Sequence, residues 1–279
     1  MNKLLRICVF PPALLLAATV WTLGFRKRIL RRNFQLMRWN HRAGLYWKIC
    51  FNASRDLTEL LMGLKPQTRV ERRSNAALQA MRENPSLLLT AHFHNWEFLG
   101  SFLHRKRVPL LAAARTLRNP KAQKLLLQLR RRINVPTVSE NVPRAALRHL
   151  QEEGCFALLW DQHSPDSEYQ GRFFGLPVNM NPLPLFLLSH RPCPAYFGII
   201  LPNGRLRLVM LLKRFDGNWQ QRLTQRYHRV LETLIRKHPG YWYGFLHARF
   251  KHSATYPGHR VRLSEKTTHE TTFSYEMKS

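Results

Sequence analysis

Acidic residues are scarce in this chain: 16 Asp and Glu stand against 45 Lys and Arg in 279 residues, a formal net charge of +29. A chain so unbalanced must face something anionic, and three partners fit: nucleic acid, an anionic membrane surface, or an acidic protein or phosphorylated substrate. Cysteine is scarce too. Cys8, Cys50, Cys155 and Cys193 are far apart and show no paired spacing, which argues against a disulfide framework or a zinc ribbon and for a reducing compartment. Internal repeats are absent. So is any recognisable nucleic-acid module, and the basic residues spread over the whole chain, so nucleic acid is not the expected partner. Apolar residues, by contrast, make up 44%. That excludes global disorder, and the length suits one α/β domain with appendages.

The longest charge-free run, 7–25, follows Lys3 and Arg6 and precedes Arg26, Lys27, Arg28, Arg31 and Arg32. It is about long enough to cross a hydrocarbon core, although Pro11 and Pro12 weaken its first half as a straight helix. A cleaved signal peptide competes with a membrane anchor here. No small-x-small cleavage site precedes the basic cluster, which favours the anchor, and the positive-inside rule then keeps the body of the protein cytoplasmic. The expected organisation is an anchor with its basic flank over 1–30, a catalytic domain over 31–252, and a polar, disordered tail over 253–279.

Helical spacing runs from Arg26 to Leu64 in two stretches, basic and aromatic-studded. Such a helix suits a membrane surface or a solvated face equally. Apolar runs at 86–91, 108–113, 135–138 and 156–160 read as strands, alternating with helices at 76–83, 122–133, 143–153, 182–189 and 219–238. A hairpin spans 195–212 across Pro202-Asn203-Gly204. The segment Gly171-Arg172-Phe173-Phe174-Gly175-Leu176-Pro177 reads as a loop. The alternation indicates an α/β domain with a mostly parallel or mixed central sheet flanked by helices.

His92 and Glu97 are the most informative pair. Within one helix their spacing would turn the side chains about 140° apart, and within one strand it would put them on opposite faces. They can meet only where the backbone changes course. The strand ending at Ala91, followed by Asn95 as N-cap of a helix from Trp96, supplies that change. A carboxylate on one ring nitrogen makes the imidazole a better base for a hydroxyl proton. A solvated histidine beside a first-turn glutamate is the bland alternative. Asp161 and Gln162 follow another strand, where ligands collect in α/β sheets. His92 and His94, with Glu97 or His104, also leave a metal pair geometrically open, but the spacing is not that of a zinc helix and no metal is expected. The aromatics Tyr241, Trp242, Tyr243 and Phe245 read as core or membrane-interface packing rather than as a site.

The stretch Thr90-Ala91-His92-Phe93-His94-Asn95-Trp96-Glu97 resembles the His-x-Gly-Asn-Trp-Glu signature of the bacterial lipid A biosynthesis acyltransferases, an HX4E motif. Three further blocks agree in order. These are the Arg115/Asn119 loop with Arg130-Arg131-Arg132, then Asp161-Gln162 with Phe173-Phe174-Gly175, and finally 232–239 with Trp242 and His247-Ala248-Arg249-Phe250-Lys251. Two positions depart from the pattern, His94 and Asn134, each standing where the family has glycine.

The resemblance implies a glycerolipid-acyltransferase-like fold and acyl transfer from an acyl-carrier-protein thioester, or acyl-CoA, to a hydroxyl of a lipid A precursor. The expected place is the cytoplasmic face of a bacterial inner membrane, with anionic lipid and acyl carrier protein as partners and no cofactor. It makes His92 the general base and Glu97 its orienting carboxylate, in one step without an acyl-enzyme. Arg130, Asp161, Gln162, Arg115 and Arg172 are the expected substrate-binding residues. Another membrane glycolipid, such as a mannosylated phosphoinositide, is the alternative acceptor. A non-enzymatic basic protein binding membrane or nucleic acid is the alternative class.

Overall fold

A computed structural model describes residues 3–39, 44–117, 119–164, 167 and 169–250. The tail expected at 253–279 lies outside the described residues. In chain order the elements are α1 (Lys3–Thr22), α2 (Lys27–Leu36), α3 (Leu45–Leu61), β1 (Arg69–Val70), α4 (Asn75–Glu83), β2 (Ser86–Thr90), α5 (Trp96–Arg105), β3 (Leu110–Ala113), α6 (Pro120–Arg132), β4 (Thr137–Val138), α7 (Val142–Gln151), β5 (Cys155–Leu159), β6 (Gln170–Phe173), β7 (Leu176–Asn179), α8 (Leu183–His190), β8 (Ala195–Ile200), β9 (Arg205–Leu212) and α9 (Trp219–Lys237). Two 3-10 turns, Pro239–Tyr241 and Tyr243–Leu246, follow α9.

The sheet order is β1-β9-β8-β2-β5-β3-β4, parallel throughout except where β9 runs antiparallel to β8. Central parallel strands are covered on both faces, which is why Ser-Leu-Leu-Leu-Thr in β2 is apolar without alternation and buried throughout. Leu87 and Leu89 pack on one side with residues of α3, α7, α8 and α9. Leu88 packs on the other with α4, α5 and α6. Asn84, held extended by the proline after it, ends α4 and starts the chain into β2. The result is a mixed α/β fold with a mostly parallel sheet between two helical layers.

Three differences from the sequence reading have physical causes. The helix expected to break near residue 55 is continuous as α3; α2 ends earlier, at Leu36, and α3 starts after Gly44 with its positive φ of 82°. The loop at 171–177 is instead a hairpin of β6 and β7, closed by Phe174 and Gly175, both at positive φ. That turn ordinarily signals itself by Asn-Gly, and Phe174 hides it. At the N-terminus α1 runs through Pro11 and Pro12. No single helix among the described residues is long and apolar enough to cross a membrane; α1 and α2 meet that test only together, bent by 76°. α1 lies along α3, with edge-on ring contacts between Phe10 and Phe51 and between Trp21 and Trp47.

Two buried residues brace the sheet's carboxyl end. Arg249 donates to the carbonyls of Gln162 (2.7 Å) and Asn179 (3.3 Å), and burial lowers its pKa to about 10. It also approaches His228 Nε2 at 3.3 Å, and burial together with that guanidinium holds His228 well below the ordinary 6.5. His228 is therefore neutral when folded and takes a proton only on unfolding, so stability is lost as pH falls below 6.5. The His228→Gln variant keeps an acceptor for Arg249 but cannot titrate. Denaturant melts between pH 6.5 and 5 are expected to show its stability slope shallower than the parent's by about one proton, or ~1.4 kcal/mol per pH unit. An unchanged slope would mean that His228 is charged in the fold.

Candidate active site

β2 and β5 are neighbouring parallel strands whose last residues, Thr90 and Leu159, are paired in register. Each chain runs two residues further before a polar side chain appears. His92 and Asp161 therefore arrive at the same level, in the crevice beyond the strands' carboxyl ends. His92 Nδ1 lies 2.7 Å from Asp161 Oδ1, and the backbone N–H of His92 donates to Oδ2 at 3.0 Å. The indole N–H of Trp242 donates to the same Oδ2 at 2.9 Å. Burial pushes the Asp161 carboxyl up. The His92 ring, the Trp242 indole and the backbone N–H outweigh that and bring it down to about 2. Burial disfavours the charged imidazole as well, but Asp161, with a smaller push from Glu97, leaves the His92 pKa raised. An ionised acceptor on Nδ1 fixes the proton there and leaves Nε2 as the basic nitrogen.

Nε2 of His92 receives the Gln162 amide nitrogen at 3.1 Å, and the same nitrogen lies 3.3 Å from Nε2 of His247. All three side chains line a cleft of about 560 Å³, walled by Leu57, Leu60, Trp96, Leu126 and Tyr243 and edged by Arg115. A narrow apolar slot between α5 and the sheet, lined by Leu99, Gly100, Leu110 and Val135, shares Trp96, Glu97, Ala113, Arg130 and Leu159 with that cleft.

Glu97 does not take the orienting position expected of it. In the first turn of α5 it accepts two hydrogen bonds from Arg130, from Nε at 3.0 Å and Nη2 at 2.8 Å. That fork-on-carboxylate pair spans from α5 to α6 and forms part of the cleft wall. The carboxylate on His92 is Asp161, which the sequence reading had placed among substrate contacts. Gln162 and Arg130 line the cleft, and Arg115 is exposed at its edge. Arg172 does not belong to it: the side chain is exposed on β6 and donates to the Gly175 carbonyl at 3.3 Å. Strand alternation and the hairpin carry it outward.

The His92 turn is held from behind. Phe93 bridges to Trp242, the Tyr243 N–H donates to the His92 carbonyl at 2.8 Å, and the His94 N–H to the Tyr241 carbonyl at 2.8 Å. Trp242 and Tyr243, read from the sequence as packing, thus position the site; the closing block signalled Trp242 alone. His94 stands in left-handed backbone, φ 40°, where most side chains cost about 1–2 kcal/mol. Its ring turns away from His92 onto Asp56, 3.1 Å from Oδ2, in a buried cluster with Arg55, Glu59 and the Tyr243 hydroxyl. His92 and His94, the pair left open as metal ligands and not expected to bind one, are split between two carboxylates. No group of three or more His, Cys, Asp or Glu that could hold a metal ion occurs among the described residues. Asn95 precedes α5 as expected but makes no capping bond; its amide N–H donates to Glu59 at 3.0 Å. Asn134, the second departure, sits at φ 56°, a conformation asparagine tolerates. Burial pushes the thiols of Cys155 and Cys193 up to about 12, so neither supplies a thiolate.

Because Asp161 is the nearer carboxylate, its replacement should disturb His92 most. In ring-resonance titrations followed by NMR, Asp161→Asn is expected to lower the His92 pKa further than Glu97→Gln does. The reverse order would return the orienting role to Glu97.

No curated protein matches the chain. The family model described as bacterial lipid A biosynthesis acyltransferase matches residues 62–252, a span that contains His92, Glu97, Arg130, Asp161, Gln162, Trp242 and His247. With most of its length and every one of these site residues inside that match, the chain belongs to the bacterial lipid A biosynthesis acyltransferase family, and its activity is of the acyltransferase type.

Proposed function

We propose that the protein moves a fatty acyl chain from an acyl-carrier-protein thioester, or from the equivalent coenzyme A thioester, to a hydroxyl of a lipid A precursor. The single observation that carries this reading is His92, with Nδ1 committed to Asp161 and Nε2 turned to the cleft. In the first half of the step Nε2 takes the acceptor hydroxyl's proton while that oxygen attacks the thioester carbonyl carbon. The tetrahedral intermediate then collapses, the C–S bond breaks, and the sulfur leaves with the proton returned from His92. Asp161 stays ionised throughout, its pKa near 2, and stabilises the imidazolium that forms between the two halves. No covalent enzyme intermediate is needed.

The cleft's chemistry suits such substrates. Its apolar wall offers a path for an alkyl chain, and Arg115 at its edge offers a cation to a phosphorylated acceptor or an acidic carrier. Association with the cytoplasmic face of an anionic inner membrane is part of the proposal. It is supported by the net charge of +29 and by exposed Phe10, Leu14, Leu15 and Trp21 on α1. Leu57 at the cleft, with Leu61 at the end of α3 and Met62 just after it, adds to that apolar surface.

Mass spectrometry of the host's membrane glycolipids with and without the gene tests donor chain and acceptor together. Loss of one acyl chain from lipid A, restored by the wild-type gene and not by His92→Ala, is the expected outcome. Unchanged lipid A with a chain missing from another glycolipid would reject the proposed acceptor. In vitro, His92→Ala is expected to lose ~10²–10⁴-fold in turnover while keeping its fold.

A further inference from the structure

His247 is within reach of the reacting centre and has been given no part in it. Its ring lies 5.7 Å from that of His92, centroid to centroid, across the Gln162 amide. On its far side Nδ1 lies 3.3 Å from Arg26 Nη1, and the same guanidinium nitrogen donates to the Leu246 carbonyl at 3.1 Å. The Asn33 amide on α2 donates to the carbonyls of Phe245 and His247, both at 2.8 Å, and so fixes the backbone that carries the ring. Arg26 and Asn33 precede the segment matched by the family model, 62–252.

Counting donors assigns the proton. With the His92 proton on Nδ1, its Nε2 must accept, so the group facing it is the N–H side of the Gln162 amide. Burial, helped by the nearby His92 and Arg26, lowers the His247 pKa to about 4, so this ring is neutral and carries one N–H. A guanidinium only donates. Nδ1 of His247 beside Arg26 is thus the acceptor, and the proton sits on Nε2. That N–H cannot bond to the Gln162 nitrogen it faces, which is itself a donor. The Gln162 amide spends one N–H on the basic nitrogen of His92, so the His247 Nε2–H points into the space beside that nitrogen with no protein acceptor among the described residues.

We propose that His247 is a catalytic residue that donates its Nε2–H to the thioester carbonyl oxygen as it becomes the tetrahedral oxyanion, and that Arg26 is a positioning residue that holds His247 in the donating tautomer. This rests on the acyl-transfer reading of the cleft. A neutral imidazole suits the task, because it stabilises developing negative charge without surrendering a proton to the leaving group before the C–S bond breaks. Drawing Arg26 from the segment between α1 and α2 also makes the N-terminal helices part of the catalytic unit.

The test has one arm that needs no turnover. In histidine-labelled wild-type protein at neutral pH, nitrogen NMR is expected to show His247 as the neutral Nε2–H tautomer, and Arg26→Gln is expected to shift it towards a tautomer mixture. A wild-type spectrum showing the Nδ1–H tautomer, or a charged ring, overturns the proposal. In the kinetic arm, with an acyl-carrier-protein thioester and a lipid A precursor, His247→Phe keeps the ring's bulk and removes the donor. Its kcat is expected to fall ~10²–10³-fold with little change in KM, and His247→Gln, which restores an N–H, to recover part of the loss. A His247→Phe enzyme with kcat within about twofold of wild type overturns the catalytic role. Should wild-type protein itself transfer no acyl chain, the acyltransferase reading fails, and the tautomer measurement still decides the Arg26–His247 arrangement.

Discussion

The hydrogen bond between His92 and Asp161 depends on something larger than either residue: two adjacent parallel strands that end in register. Thr90 faces Leu159, and the same two-residue extension on each strand delivers base and carboxylate to one level. A slip of one residue would turn one of the two side chains to the opposite face of the sheet and part the pair. The largely apolar residues of β2 and β5 bury both faces of the paired strands. In this way the packing of Leu87, Leu88 and Leu89 between two helical layers is already part of the active site.

Electrostatics around this pair follow from burial. A carboxylate with no solvent must be satisfied by donors, and the His92 ring, the His92 backbone N–H and the Trp242 indole supply three. The segment that brings Trp242 also pairs with the backbone around Phe93, so one short stretch satisfies the acid and clamps the turn that carries the base. Glu97 and Arg130 neutralise one another across α5 and α6 a little further along the cleft. A third centre, with Arg55, Asp56, Glu59 and His94, lies behind the turn and shares Tyr243 with the cleft wall. The bulky residue in the glycine position is accommodated by carrying its ring into that polar cluster.

Much of this was legible in the sequence, for reasons that also explain what was not. Apolar runs of strand length between helical patterns gave the sheet, and the polar residues just after two of them, His92 and Asp161 with Gln162, marked the crevice. The distance from His92 to Glu97 suggested a pair, but spacing along a chain says nothing of a partner on the next strand. Asp161 is 69 positions away and reaches His92 only through strand register. The same applies to Trp242 and His247, which arrive from beyond α9. The β6–β7 hairpin was hidden because Phe174 occupies a positive-φ position that sequence rules reserve for Gly, Asn or Asp. Arg172, singled out because of its neighbours in that motif, was carried to the outer surface by the same hairpin. The bend between α1 and α2 likewise depends on packing against α3 and on the backbone at Gly24 and Arg26, both at positive φ.

The central claim is that His92 and Asp161 act as one unit in acyl transfer. The most direct measurement is a kinetic double-mutant cycle on kcat/KM with His92→Ala, Asp161→Asn and the two combined. Asp161 working through His92 predicts that the double variant is no slower than His92→Ala alone, since the carboxylate has nothing left to orient. Losses that multiply would show two independent contributions and contradict it.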